Sequence, residues 1–247
     1  VILNGRTVTT AVARTVGQLD IQSGGVLDIG ASSGHNFGTV SGEGTLKINS
    51  GNFPGGTFTA FTGTNGGTVE YYNLPAATTL SAQATYNNLI FSNSTASAFT
   101  VTSSSNMAIN GHLTLSKTSS GNVTFSLPNA GPYTVIVYED VTIGSGCTWN
   151  ITAGATQQHI VQIHGNLTNN GTLDFQNGTA YSASTGRALL TFGGSMLNTT
   201  ATFNALSVTE FYRVVMTKND GFELFMSSSP SATVNFHGDA PALNPTL

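Results

Sequence analysis

The sequence predicts an all-β chain wound as a parallel β-helix, or β-solenoid, with coils of about 20–24 residues. Three observations predict it. No stretch carries the 3.6-residue apolar period of a helix. Short runs of alternating apolar and polar residues dominate, bounded by Gly, Asn and Ser clusters. Apolar anchors recur at solenoid spacing: Leu27 to Leu46 is 19 positions, Val69 to Leu89 is 20 and Leu89 to Leu113 is 24. A sandwich would need longer strands and a turn every ~8–12 residues.

Taken in chain order, the strand candidates are Gln18-Leu19-Asp20-Ile21, Val26-Leu27-Asp28-Ile29, Thr45-Leu46-Lys47-Ile48, Thr68-Val69-Glu70-Tyr71 and Asn88-Leu89-Ile90-Phe91. His112-Leu113-Thr114-Leu115, Val135-Ile136-Val137, Val141-Thr142-Ile143, Val161-Gln162-Ile163 and Thr172-Leu173-Asp174-Phe175 follow. In each, alternate residues are apolar, which puts them on one face of a strand. One coil cannot bury that face alone; stacked coils bury it as a column. Gly and Asn suit the corners, where positive φ is needed.

A longer repeat overlies the coils. Ser23 to Ile29 aligns with Ser145 to Ile151 at an offset of 122, and Val40 to Ile48 with Leu167 to Phe175 at 127. Tyr86 to Asn110 aligns without gaps on Phe211 to Asn235, an offset of 125 that also carries His112 onto His237. This predicts two tandem units, 1–123 and 124–247, in one continuous solenoid. Leu27, Leu46, Val69 and Leu89 are expected to stack inward in the first, and Trp149, Leu173 and Val214 in the second. Roughly eleven coils at ~4.8 Å would make a rod of about 50–60 Å.

Charge excludes several functions. Asp, Glu, Lys and Arg together are 7% of the chain, against about 25% in ordinary domains. In their place stand 37 Thr, 29 Gly, 25 Ser and 23 Asn, residues that suit stacked, half-exposed strands and their corners. Seven scattered basic residues cannot neutralise a run of phosphates, so nucleic acid is not expected as a partner. No apolar run approaches the ~18 residues of a membrane span. The single cysteine, Cys147, allows no internal disulfide and excludes zinc-finger and iron–sulfur ligation. The chain starts at Val1 and closes on the linker-like Ala240-Pro241-Ala242-Leu243-Asn244-Pro245, which reads as a piece of something longer.

No catalytic, cofactor-binding or metal-binding residue is expected, and the chain reads as a non-enzyme. Glu139 and Asp140 are adjacent, but strand neighbours point to opposite faces. Asp28, Lys47 and Glu70 lie 19 and 23 positions apart, which makes them candidates for an outward ladder of alternating sign. His159 and His164 are poorly spaced for one metal, and His112 and His237 are expected to fill one corner twice. Cys147 aligns with Gly25 and reads as a small corner residue; Trp149 aligns with Leu27 and reads as core filler. Tyr71, Tyr72, Tyr86, Tyr133, Tyr138, Phe58 and Phe61 would suit glycan stacking if several lay outward together. The Gly-x-Gly pairs at Gly42/Gly44 and Gly144/Gly146 sit at corners with no helix following, so no nucleotide loop is expected. The pairs Thr7/Thr9, Thr57/Thr59 and Thr100/Thr102 have the form of ice-binding ladders, but the motif does not recur coil after coil.

The strand, Ser-Gly-Gly, strand phrase of Gln18 to Ile29 resembles units of very large surface proteins of Bacteroidota. Val40 to Pro54, Gly67 to Asn73, Tyr86 to Phe91 and Ile109 to Leu115 are similar to further phrases of those proteins, and Ile163 to Leu173 echoes them. The resemblance implies a repeat segment of a secreted, extracellular cell-surface adhesin that leaves by type 9 secretion, a route shared with gliding-motility adhesins. Surface polysaccharide and other cell-surface or secretion proteins are the candidate partners, and lateral self-association is open. Two further functions are open at this stage: a carbohydrate-binding module or polysaccharide lyase on a β-helix, and a cargo domain of the secretion system.

Overall fold

Alternation along each short run becomes alternation between core and solvent. In Thr68–Tyr72 and Asn88–Asn93 every second side chain is buried and those between are half-exposed. The structure, a computed structural model, describes residues 1–176, 186–194, 198–204, 206–218 and 221–237. It is a β-solenoid of about eight turns, 2% helical.

Three parallel faces carry the described strands. The first has ten, from Thr7–Thr9 to Leu224–Ser228. The second has seven, from Ala77–Thr79 to Thr233–Phe236, and the third has six, from Thr85–Tyr86 to Arg213–Met216. In the first coils the first face is joined instead by a three-stranded sheet of Gln18–Asp20, Asn36–Ser41 and Gly55–Thr57. The change of cross-section is marked by the one described helical turn, Thr59–Thr62, which buries Phe61. Phe53, Phe58, Phe61 and Tyr86 fill that junction edge to face, with ring centroids 4.7–6.3 Å apart.

On the first face Val8, Leu27, Leu46, Val69, Leu89, Leu113, Val141 and Leu167 stand in one register column. The expected stacking of Leu27, Leu46, Val69 and Leu89 is therefore what the fold contains. Strands on either side of position 123 pair directly, Leu113 with Val141. In the second half, however, Trp149 stacks on Leu173 in the second face, whereas Val214 stacks on Leu190 in the third and is only partly buried. Leu27 and Trp149, aligned by sequence, thus occupy different faces. Trp149 is core, as expected: Phe91, Phe125, Trp149 and Phe175 form an internal aromatic stack with centroids 5.0, 5.6 and 5.1 Å apart.

Coil length varies more than the sequence spacing suggests. Leu113 to Val141 is 28 residues and Leu167 to Ala201 is 34. Extra residues leave at corners without adding a rung, which costs little because loop-closure entropy grows slowly with length. Ten strands on the longest face make nine steps, a rod of about 43 Å rather than 50–60 Å. Corners need particular backbones: Gly42 has φ +100°, and a Cβ there would lie 2.1 Å from the Ile21 carbonyl oxygen.

Candidate functional site

Asp28, Lys47 and Glu70 are brought together. Asp28 is in register with Lys47 and Lys47 with Glu70, so the three outward side chains occupy consecutive rungs of the first face. The Lys47 ammonium lies 3.0 Å from the Glu70 carboxylate and 4.7 Å from the centroid of the Tyr72 ring. The Ser92 hydroxyl donates to Glu70. Tyr72 completes the group by donating its hydroxyl to Asp28 Oδ1 and Oδ2 at 2.9 and 3.1 Å. Burial, then the bond to Asp28, pushes the Tyr72 hydroxyl up to about 12. Each charge here has a partner within the group: Lys47 and Glu70 on neighbouring rungs, and Asp28 through Tyr72 two rungs away. The chemistry is that of a self-satisfied ladder, which holds a rigid, weakly charged surface.

Sequence reasoning missed Tyr72 as a member. Its signal is the two-residue strand period, which puts it on the same outward face as Glu70. The diagonal reach to a carboxylate 44 positions earlier has no local signature.

A second polar group was not anticipated. Asp174 is in register with Glu210, and Glu210 with Asn235, on the outward side of the second face. Asn235 Nδ2 donates to Glu210 Oε1 at 2.8 Å, and His237 Nε2 lies against Glu210 Oε2. Burial raises the Asp174 carboxyl to about 6; the neighbouring Glu210 charge adds to this, while the backbone N–H of Gln176 and the His237 imidazole oppose it. The separation from Asp174 to Glu210 is 36 positions, well outside the coil period read from sequence.

The other candidates scatter. Asp140 Oδ1 accepts from the Asn166 backbone and side chain at 2.8 and 3.0 Å, and its Oδ2 sits 3.9 Å from His112 Nδ1. His112 and His237 were expected at one corner. They lie at two: His112 precedes a first-face strand, and His237 follows a second-face strand. His159 is fully buried. Its Nδ1 accepts from the Tyr133 N–H at 3.1 Å, so Nε2 carries the proton donated to the Pro128 carbonyl at 2.9 Å. Burial lowers its pKa, which suits a neutral structural pin. His164 meets Tyr138 edge-on at 4.9 Å. Cys147 is buried within the strand Cys147–Ile151, and burial pushes its thiol up. Tyr71, Tyr86, Phe58 and Phe61 face the core, so the seven aromatics do not form an outward glycan platform; period-2 alternation turned them inward. Gly42/Gly44 and Gly144/Gly146 sit between strands. The linker-like segment 240–245 lies outside the described residues.

A groove of about 600 Å³ runs between Gly56–Thr57 and Gln83–Thr85, beside Phe53 and Phe58. Its lining carries no ionisable side chain. Among the described residues no three His, Cys, Asp or Glu side chains gather as a metal site, and no helix is long and apolar enough to cross a membrane. No protein-family model, curated protein or solved structure matches this chain.

Proposed function

We propose that this chain is a structural and adhesive segment of a secreted bacterial cell-surface protein, a rigid stalk that presents a binding surface outside the cell and performs no catalysis. The observation that carries the reading is the ten-stranded face, paired rung to rung from Thr7–Thr9 to Leu224–Ser228. Separating the ends of such a rod requires breaking many backbone bonds together. The internal pairing of the Asp28, Lys47 and Glu70 charges supports a passive surface. The test is antibody labelling of intact cells that make the parent protein. Labelling without permeabilisation supports the reading, and signal only after permeabilisation overturns it.

A second reading rests on a specific observation: Lys47 stands between two carboxylates on consecutive rungs, the cation-and-base juxtaposition that a polysaccharide lyase uses. Incubation with anionic polysaccharides and calcium separates the two. New unsaturated or reducing ends, lost in Lys47→Ala, would make the chain an enzyme. Binding without cleavage would keep the adhesive reading and name its ligand class.

A further inference from the structure

The register of the second face gathers threonines that the sequence scatters. Thr100 pairs with Thr124, Thr124 with Thr148 and Thr148 with Thr172, one per rung on four successive coils. All four are half-exposed. The residue after each is Val101, Phe125, Trp149 or Leu173, and each of those is buried, so the threonines point to solvent. Two residues along each strand, Thr102, Ser126, Asn150 and Asp174 share the next register column, but there Ser126 is buried and donates to Asn150 Oδ1 at 2.7 Å, so that column is closed to a ligand. The exposed feature is a single column of threonines with ~4.8 Å between rungs.

Three properties define what this column can hold. Its side chains are fixed, because β-branched threonine in a strand has few χ1 choices. Among the described residues the four hydroxyls have no hydrogen-bond partner, so their hydrogen-bonding capacity faces outward. The strands Phe99–Thr102, Val123–Leu127 and Cys147–Ile151 carry no charged residue, the first one on this side being Asp174 beyond Thr172, and the aromatics Phe99, Phe125 and Trp149 are all buried. Beside Thr100, Thr124 and Thr148 an ionic ligand therefore finds no counter-charge on these strands, and a sugar ring finds no stacking platform. What remains is a stiff column of methyl and hydroxyl groups. Its complement is a surface with a matching repeat in one direction, and a hydrogen-bonded repeat of hexagonal ice is close to the rung spacing. Water held over such a column needs little further ordering, and many weak contacts made by one rigid body act together.

We propose that the second face is an ice-binding surface, with Thr100, Thr124, Thr148 and Thr172 as its anchoring column. The inference rests on the rung register alone and is independent of the stalk reading. It also explains why the Thr-x-Thr motif fails as a sequence signal: the anchoring position repeats, while its neighbour changes from Thr102 to Ser126, Asn150 and Asp174.

The test is partition of the full 247-residue chain into slowly growing ice, beside an inert protein of similar size. Several-fold enrichment in the ice, with faceted crystals in the melt, is expected. Thr148→Tyr is expected to lower enrichment to the inert level. Gln162→Tyr, an outward position on the third face, is expected to keep it, with melting temperatures checked for both. Thr148→Lys replaces the tyrosine variant if that variant does not fold. Exclusion of the parent chain from ice overturns the proposal, as does full enrichment of a folded Thr148 variant. Retention on insoluble cellulose or chitin with exclusion from ice also overturns it, and points to a glycan face.

Discussion

The Tyr72 hydroxyl bonds to both carboxylate oxygens of Asp28, across two rungs and 44 positions of sequence. That single contact ties three coils of the first face together over the Lys47–Glu70 pair. Tyr72→Phe removes one partly exposed, charge-assisted bond and should cost about 1 kcal/mol. Because folding raises the pKa of this acid to about 12, the folded state holds its proton more tightly than the unfolded chain. Its contribution is whole below pH ~10 and fades as pH rises toward 12. Absorbance titration at alkaline pH should show one late-ionising tyrosine fewer in the variant.

The apolar column is the main source of stability. Leu46 is fully buried between Leu27 and Val69. Leu46→Asp should destabilise by about 4 kcal/mol or more, since an unpaired charge enters the column. Its outward neighbour gives the contrast: Lys47→Ala should cost no more than about 1 kcal/mol. Urea midpoints of the two variants measure the difference, and equal midpoints would mean that the column is misassigned.

Asp174 should make the fold less stable as pH rises. Its carboxyl moves from 3.8 to about 6 on folding, so the folded state binds the proton more tightly. Stability associated with it is complete below pH ~4 and is lost through pH ~6. The corresponding energy is about 3 kcal/mol. Asp174→Asn should therefore match the parent at pH 4 and exceed it by roughly 2–3 kcal/mol at pH 7.5. Denaturant melts at the two pH values test this.

His159 works with the opposite sign. Burial lowers its pKa below 6.5, so the unfolded chain takes up the proton first and stability falls as pH drops below ~6.5. His159→Phe keeps the ring but leaves the Tyr133 N–H and the Pro128 carbonyl without their partner. A cost of about 2–4 kcal/mol is expected, together with a flatter acid limb in the stability profile.

Much of the architecture was legible because it is local. Period-2 alternation in Thr68–Tyr72 decides which side chains turn inward, and scarcity of charge follows from stacking identical faces. The nineteen-residue step from Leu27 to Leu46 located the first column, and Trp149 was readable as core. Register across the later coils was not legible. Corners absorb a variable number of residues, so the step along the first face runs from 19 to 34 positions, and an alignment at fixed offset carries Leu27 onto a residue of another face. Backbone pairing between coils is what places Asp174 on Glu210, Tyr72 over Asp28 and Thr124 on Thr100. Those pairings depend on where each coil returns in space, and a chain whose loops differ in length does not record that in its spacing.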